Sequence, residues 1–407
     1  MTSPDRPMIY RRFGRTGLKM PVLSCGGMRY QAKWKDVPQS EVPDEGQANL
    51  EATIRRSVEL GINHIETARG YGSSERQLGQ ILPDYPRDEL IVQTKIAPED
   101  DPDKFLAHFD ESLERLGLDH VDLLGLHGLN DEATLHKAIR PGGCLAAARK
   151  LQQAGKAKHI GFSTHASTDV ICKAIAHDAD GGFDYVNLHW YFIFQRNWSA
   201  VLAARRRDMG VFIISPSDKG GKLYAPPAKL VDLCDPLHPI VFNNLFCLAH
   251  PQVHTLSIGA ARPSDFDLHL EALPLIEQAD HLLTPLLTRL REAMLEATGV
   301  EDPEAMSVGL PEWDDTPGDL NMPVMLWLRN LALGWGMIDY AKMRYNLLGN
   351  GGHWFPGGKP ANLDGVADET LRMAAAKSPY AGRVAELLRE SVELLGGEEV
   401  QRASEGG

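Results

Sequence analysis

Residues 61–79 read GINHIETARGYGSSERQLG. The run at 63–67 is strand-like, and it passes at once into a polar, glycine-bearing turn that carries Glu66 and Tyr71. A strand that ends in reactive side chains and is followed by a helical pattern is one βα unit of a parallel sheet. Outward from this unit the same alternation recurs. Strand-like runs stand at 22–25, 63–67, 90–95, 121–127, 159–163, 185–189, 211–215 and 254–258. Between them, stretches such as 48–60, 103–116, 145–154 and 200–209 place apolar residues three and four apart and stop near Gly or Pro, as amphipathic helices do. A short hairpin is expected around 12–19, ahead of the first strand. Eight units in succession predict an α/β fold closed as a (β/α)8 TIM barrel. Spacing alone leaves an open doubly wound sheet as the alternative, but no GxGxxG follows the first strand.

The chain has 407 residues, whereas one such barrel uses roughly 250. We therefore divide it into residues 1–275, the barrel, and 276–407, a mainly helical C-terminal extension packed on it. Helical patterns in the extension fall at 279–298, 323–333, 337–348 and 383–395. A Pro- and Gly-rich loop at 349–360 carries His353, Trp354 and Phe355 and is either a lid or an aromatic plug between extension and barrel.

A net charge of −13 without a Lys/Arg-rich run argues against nucleic acid or an anionic membrane as partner. The N-terminus lacks an apolar signal-like core, and the apolar stretch at 322–338 is interrupted by Arg329. The five cysteines form no CxxC pair, so neither a disulfide framework nor a cluster is encoded. These features favour a cytoplasmic protein. Oligomeric state is not readable.

In a βα barrel, reactive groups come from the carboxyl ends of the strands and the loops after them. There stand Glu66 and Tyr71, Lys95 and His127, on three consecutive strands. Reducing a carbonyl places negative charge on oxygen as hydride reaches carbon, so an acid must deliver a proton while that charge develops. A tyrosine can do so, and an ammonium nearby would lower its pKa. Glu66 would hold Lys95 and offset the cost of burying it, and a neutral His127 could orient the carbonyl.

The stretches YRRFGRTGLKMPVLSCGG at 10–27 and GINHIETARGYGSSERQLG at 61–79, with the strand-end Lys95 and His127, resemble the aldo-keto reductases over residues 9 to 275. The resemblance implies an NAD(P)H-dependent oxidoreductase that interconverts an aldehyde or ketone with the alcohol. Tyr71 would be its general acid, Lys95 the modulator of Tyr71's pKa and His127 the substrate-orienting group. The family usually has aspartate where this chain has Glu66, so the carboxylate is one methylene longer, and its partnership with the lysine requires the backbone to retreat.

The resemblance further implies a nicotinamide cofactor extended over the barrel mouth. Gly27 and Met28 follow the first strand there. Ser163 and Thr164 stand where the family holds the nicotinamide amide, and Asn187 where glutamine is common. Ser215, Ser217, Lys219 and Gly220 belong to the loop expected to wrap the pyrophosphate, in which backbone N–H groups suit anionic oxygens. Ile214 replaces a common aromatic that stacks on the ring. Gly259, Arg262, Asp265 and His269 fall where relatives contact the adenosine end. Arg262 favours NADPH through the 2′-phosphate and Asp265 opposes it, so NADH stays open. More loosely, the extension resembles that of relatives with C-terminal iron–sulfur clusters, yet it contains no cysteine, and clusters need thiolates.

Other readings stand beside these. Cys234, His238, Cys247 and His250 invite a metal, against which the apolar helical run between them argues. Trp190, Tyr191, Phe192 and Trp198 are candidates for a substrate pocket or for packing, and Arg29 for an anionic substrate or a cap. The alternative function is a nicotinamide-binding regulatory or partner-binding protein with little turnover. A third is Schiff-base chemistry at Lys95, in which Tyr71 has no role.

Overall fold

The computed structural model describes residues 7–350 and 354–400; His353 lies outside them. Two short antiparallel strands, β1 (Tyr10–Arg12) and β2 (Lys19–Pro21), form the expected hairpin. Eight parallel strands follow: β3 (Leu23–Gly26), β4 (His64–Glu66), β5 (Ile91–Ile96), β6 (Val121–His127), β7 (Ala157–Ser163), β8 (Tyr185–Leu188), β9 (Gly210–Ile213) and β10 (Thr255–Ile258). They pair in sequence order, and β10 bonds both β9 and β3, which closes the barrel.

The hairpin seals the amino-terminal end. Phe13 and Met20, both fully buried, pack with Leu123, Tyr185 and Phe212 inside the ring. A Cβ on Gly210 would stand 2.6 Å from the Phe13 ring, so glycine at that strand start is a steric requirement.

The crossover helices form where the sequence supplies both a buried stripe and end signals. The helix Pro102–Leu116 is capped by the Asp101 side chain, which accepts from the Asp103 N–H, begins with Pro at its first turn and ends at Gly117 with φ 63°. Its buried Phe105, Phe109, Leu113 and Leu116 repeat at helical spacing.

The C-terminal region is helical, with Ala279–Thr298, Met322–Trp335, Ile338–Tyr345 and Val384–Leu395 as its main elements. Met322–Trp335 is buried on nearly every side and is the centre about which the others pack. Two indoles on it tie neighbours together: Trp327 Nε1 donates to the Ile193 carbonyl at 2.7 Å and Trp335 Nε1 to the Leu290 carbonyl at 2.9 Å. Among the described residues no helix is long and apolar enough to cross a membrane.

Candidate active site

Strand register brings the predicted side chains to one rim. Gly26 is opposite Glu66, Lys95 opposite Gly125, His127 opposite Ser163, and Ser163 opposite Asn187. These positions alternate with residues such as Ile65, Leu124, Phe162 and Val186, which join the apolar layer outside the ring, so the polar set points inward. The resulting cleft opens to solvent and spans about 770 Å³, its open mouth included. It is lined by Tyr71, Lys95, Glu66 and His127, and by Met28, Ser163, Ile214, Ser215, Ser217, Lys219 and Gly259 among the residues expected to hold a cofactor.

Lys95 and Glu66 form a buried ion pair, their side chains 1% and 4% exposed. The longer carboxylate fits because β3 offers a glycine beside it: a Cβ on Gly26 would lie 3.3 Å from Glu66 Oε2 and 2.5 Å from Ser257 Oγ. On the other side Gly125 leaves room for the lysine stem, since a Cβ there would meet Lys95 Cγ at 2.9 Å. Burial pulls the Lys95 amine well below the ordinary lysine value, and the adjacent carboxylate opposes that pull.

The Lys95 ammonium lies 4.7 Å from the centre of the Tyr71 ring, and the imidazole of His127 meets the same ring edge-on at 5.6 Å. Burial pushes the Tyr71 phenol above its ordinary value. The sequence led us to expect a lowered value from Lys95; here the lysine faces the ring and its charge is shared with Glu66, so desolvation decides the direction.

The turn bearing Tyr71 is fixed at two points. Gly72 has φ 53°, and a Cβ there would stand 2.0 Å from the Lys33 carbonyl oxygen. Glu75, buried, accepts from Thr94 Oγ1 at 2.6 Å and Ser112 Oγ at 3.1 Å and lies 3.5 Å from Arg115, which clamps the turn to β5 and to the helix Pro102–Leu116.

Four further predicted residues stand behind the lining. Gly27 passes close to β4, its Cβ position 2.6 Å from the Glu66 carbonyl oxygen. Asn187 is fully buried beside Ser163, and neither its Oδ1 nor its Nδ2 has a hydrogen-bond partner among the described residues. Gly220 donates to the Ser215 carbonyl at 3.1 Å and is pressed onto Pro216, where a Cβ would clash at 1.8 Å. Thr164 turns its hydroxyl onto the Leu129 carbonyl at 2.7 Å, so it shapes the loop after β7 and does not line the cleft.

Two residues expected at the adenosine end face away from the cleft. His269 is fully buried, with Nε2 bonded to the Tyr224 hydroxyl at 2.9 Å and Nδ1 to Asn244 Nδ2 at 2.8 Å, so it braces Tyr224 from behind. Asp265 is 9% exposed and accepts from the Ala261 N–H at 2.8 Å and from Arg262 Nε at 3.2 Å, a local turn cap. Arg262 is otherwise exposed. For the aromatic run after β8 the structure favours packing over a place in the pocket. Trp190, Tyr191 and Phe192 are buried outside the cleft; Trp190 packs on Trp198 at 4.7 Å and Phe192 stacks on Trp335 at 4.8 Å.

His165 and Tyr224 line the cleft and were not singled out from sequence. The available signal for His165 was its place immediately after Ser163 and Thr164. Arg29 also lines the cleft, 4.8 Å above the Tyr224 ring and bonded to the Gly259 carbonyl at 2.8 Å. His238 accepts from the Ile240 N–H as a helix cap and His250 bonds the Phe246 carbonyl. Among the described residues no three His, Cys, Asp or Glu stand close enough to hold a metal.

Residues 22–220 match the model of the aldo/keto reductase family. The chain is 30% identical over 183 residues to an L-glyceraldehyde 3-phosphate reductase of Escherichia coli (strain K12), an overlap of 40% of this chain and 48% of that protein. It is 29% identical over 216 residues to an L-galactose dehydrogenase of Arabidopsis thaliana, 51% and 64% of the two chains. The chain thus spans about half to two thirds of the length of these relatives. An aldo-keto reductase of Bacillus halodurans solved in its holo form superposes with a TM-score of 0.54 at 19% identity, covering 68% of this chain and 96% of that one. A thermostable aldo-keto reductase in complex with the inhibitor epalrestat gives 0.56 at 21% identity, over 68% and 100%. Over residues 22–220 the chain is thus similar in sequence to the aldo-keto reductases, and its barrel shares their fold.

Proposed function

We propose that the protein is an NAD(P)H-dependent oxidoreductase that reduces an aldehyde or ketone, or oxidises the matching alcohol, with Tyr71 exchanging the proton. One observation carries the reading: Tyr71, Lys95, Glu66 and His127 meet at the mouth of one cleft, with the lysine both paired to Glu66 and set 4.7 Å from the phenol ring. In this reading residues 1–275 are the catalytic unit and 276–407 its cover.

The residues present suit a nicotinamide cofactor. Asn187 offers a buried, unpartnered amide next to Ser163, a pairing able to hold a carboxamide. Ser217 likewise has a buried hydroxyl with no partner among the described residues, in the loop that would cradle the pyrophosphate with Ser215 and Lys219, while Gly220, its N–H already given to the Ser215 carbonyl, shapes the turn. Ile214 supplies an aliphatic wall. When bound, the cofactor supplies or accepts hydride. Tyr71 donates its proton to the carbonyl oxygen, His127 orients that oxygen, and Lys95, held by Glu66, stabilises the tyrosinate that remains. Arg262 has one nitrogen tied to Asp265 and the rest exposed, so both NADPH and NADH are within this reading.

A second reading, a nicotinamide-binding protein with little turnover, is favoured by one observation: burial raises the Tyr71 phenol, which weakens it as an acid. Steady-state NADPH and NADH oxidation against a panel of aldehydes and ketones, including small hydroxyaldehydes akin to those in the relatives' names, separates the two. The enzyme reading predicts turnover that Tyr71→Phe lowers by roughly 10²- to 10⁴-fold while cofactor still binds. Tight cofactor binding with equal rates for wild type and variant would establish the second.

A further inference from the structure

The loop at 215–222 faces the cleft on its inner side through Ser215, Ser217, Asp218 and Lys219. Its backbone is demanding: Ser215 and Lys222 both have φ 52°, a left-handed conformation that costs a non-glycine residue free energy and persists only when surroundings hold it. The loop holds itself in part, through bonds such as Lys222 N–H to the Asp218 carbonyl at 2.8 Å, and Asn243 donates to the Pro216 carbonyl at 3.1 Å; the C-terminal extension supplies further contacts. Tyr340 and Arg344 stand four apart on the helix Ile338–Tyr345 and so share a face. Tyr340 Oη donates to the Lys219 carbonyl at 2.5 Å, and Arg344 lies 3.7 Å from the Asp218 carboxylate. Met337 closes on Gly221, where a Cβ would stand 2.7 Å from the Met337 methyl carbon.

Trp354 completes the arrangement. The Lys219 ammonium and the Arg344 guanidinium lie 5.3 and 5.2 Å from its ring centre. The same ring stacks on His189 at 4.7 Å, and His189 on His165 at 4.8 Å, the latter a wall of the cleft. Extension and mouth are therefore in continuous contact on the side where the loop turns.

We infer that Tyr340 and Arg344 are positioning residues that fix the 215–222 loop from outside the barrel, so that cofactor affinity and release are set by the C-terminal extension. This rests on the reading of that loop as the cradle for the cofactor's pyrophosphate. The shape of the loop turns Ser215, Ser217 and Lys219 toward the cleft, where they could meet an anion; a loop free to relax would have to be ordered anew at each binding event, which lowers affinity and speeds release.

The test uses the full chain with Tyr340→Phe, which removes one hydroxyl, and Arg344→Lys, which keeps the charge but not the guanidinium shape. The NADPH dissociation constant and release rate would be measured by fluorescence, backbone hydrogen exchange at 217–222 without cofactor, and the thermal midpoint as control. Loss of one such hydrogen bond predicts a dissociation constant and a loop exchange rate each raised roughly five- to tenfold, with the midpoint little changed. Either readout unchanged in both variants, while wild type binds NADPH, would overturn the inference alone. Failure of wild type to bind NADPH or NADH would overturn the reading of the loop and this inference with it.

Discussion

Glu66 and Gly26 show how one extra methylene is accommodated. The carboxylate reaches Lys95 because no side chain stands beside it on β3, and refilling that space should reverse the effect. Gly26→Ala would place a methyl group 2.5 Å from Ser257 Oγ and 3.3 Å from Glu66 Oε2, an overpacking that costs about 1–3 kcal/mol. It is expected to lower both the denaturation midpoint and kcat by disturbing the ion pair, read by urea unfolding and initial rates; unchanged kcat would detach the pair from turnover. Glu66→Gln keeps the shape and removes the charge, so it should depress kcat more than it depresses stability. That Tyr71, Lys95, Glu66 and His127 share one mouth was legible in the sequence because they sit at or just after strand ends in fixed order, and the same holds for several of the residues proposed to meet a cofactor, which line the same cleft. His269 and Asp265 were misread because position along the chain does not tell which way a residue faces once a 3-10 turn, here Pro263–Phe266, reorients the backbone.

Among the elements, the eight barrel strands were legible because each is a short β-favouring run between helical patterns, and their boundaries shift by only a few residues. The aromatic run after β8 was not, since beyond Leu188 the period-2 alternation ends and nothing in the sequence says that Phe192 turns toward Trp335. That contact makes the helix Met322–Trp335 the hinge of the extension's packing. Trp335 is 1% exposed, stacks on Phe192 and donates to Leu290. Trp335→Ala is therefore expected to destabilise the protein by about 3–5 kcal/mol, measured by urea denaturation. A loss under about 1 kcal/mol, the scale of a surface substitution, would mean that the extension packs without it.

Acid sensitivity belongs to the molecule as a whole. His64, His254 and His269 are buried, and burial lowers them to about 3, about 4 and about 3. His254 Nδ1 accepts from the Val211 N–H at 2.9 Å, which requires that nitrogen unprotonated. Unfolding lets each take up a proton near pH 6.5, so the unfolded state binds more protons below that pH and stability rises with pH across the window. The contribution is complete above about pH 6.5 and falls as pH drops, by about 2 kcal/mol per histidine at pH 5. Thermal midpoints that stay level from pH 6.5 to 5 would contradict this. The same burial that excludes water from these rings encloses the mouth where Tyr71, Lys95, Glu66 and His127 meet, and the central claim is that this mouth carries out hydride transfer to a carbonyl. Product analysis with NADPH deuterated at the transferring position tests it: wild type is expected to form an alcohol that carries the deuterium on its carbinol carbon, and Tyr71→Phe to lose that product. Alcohol without deuterium, or none from any carbonyl offered despite cofactor binding, would contradict it.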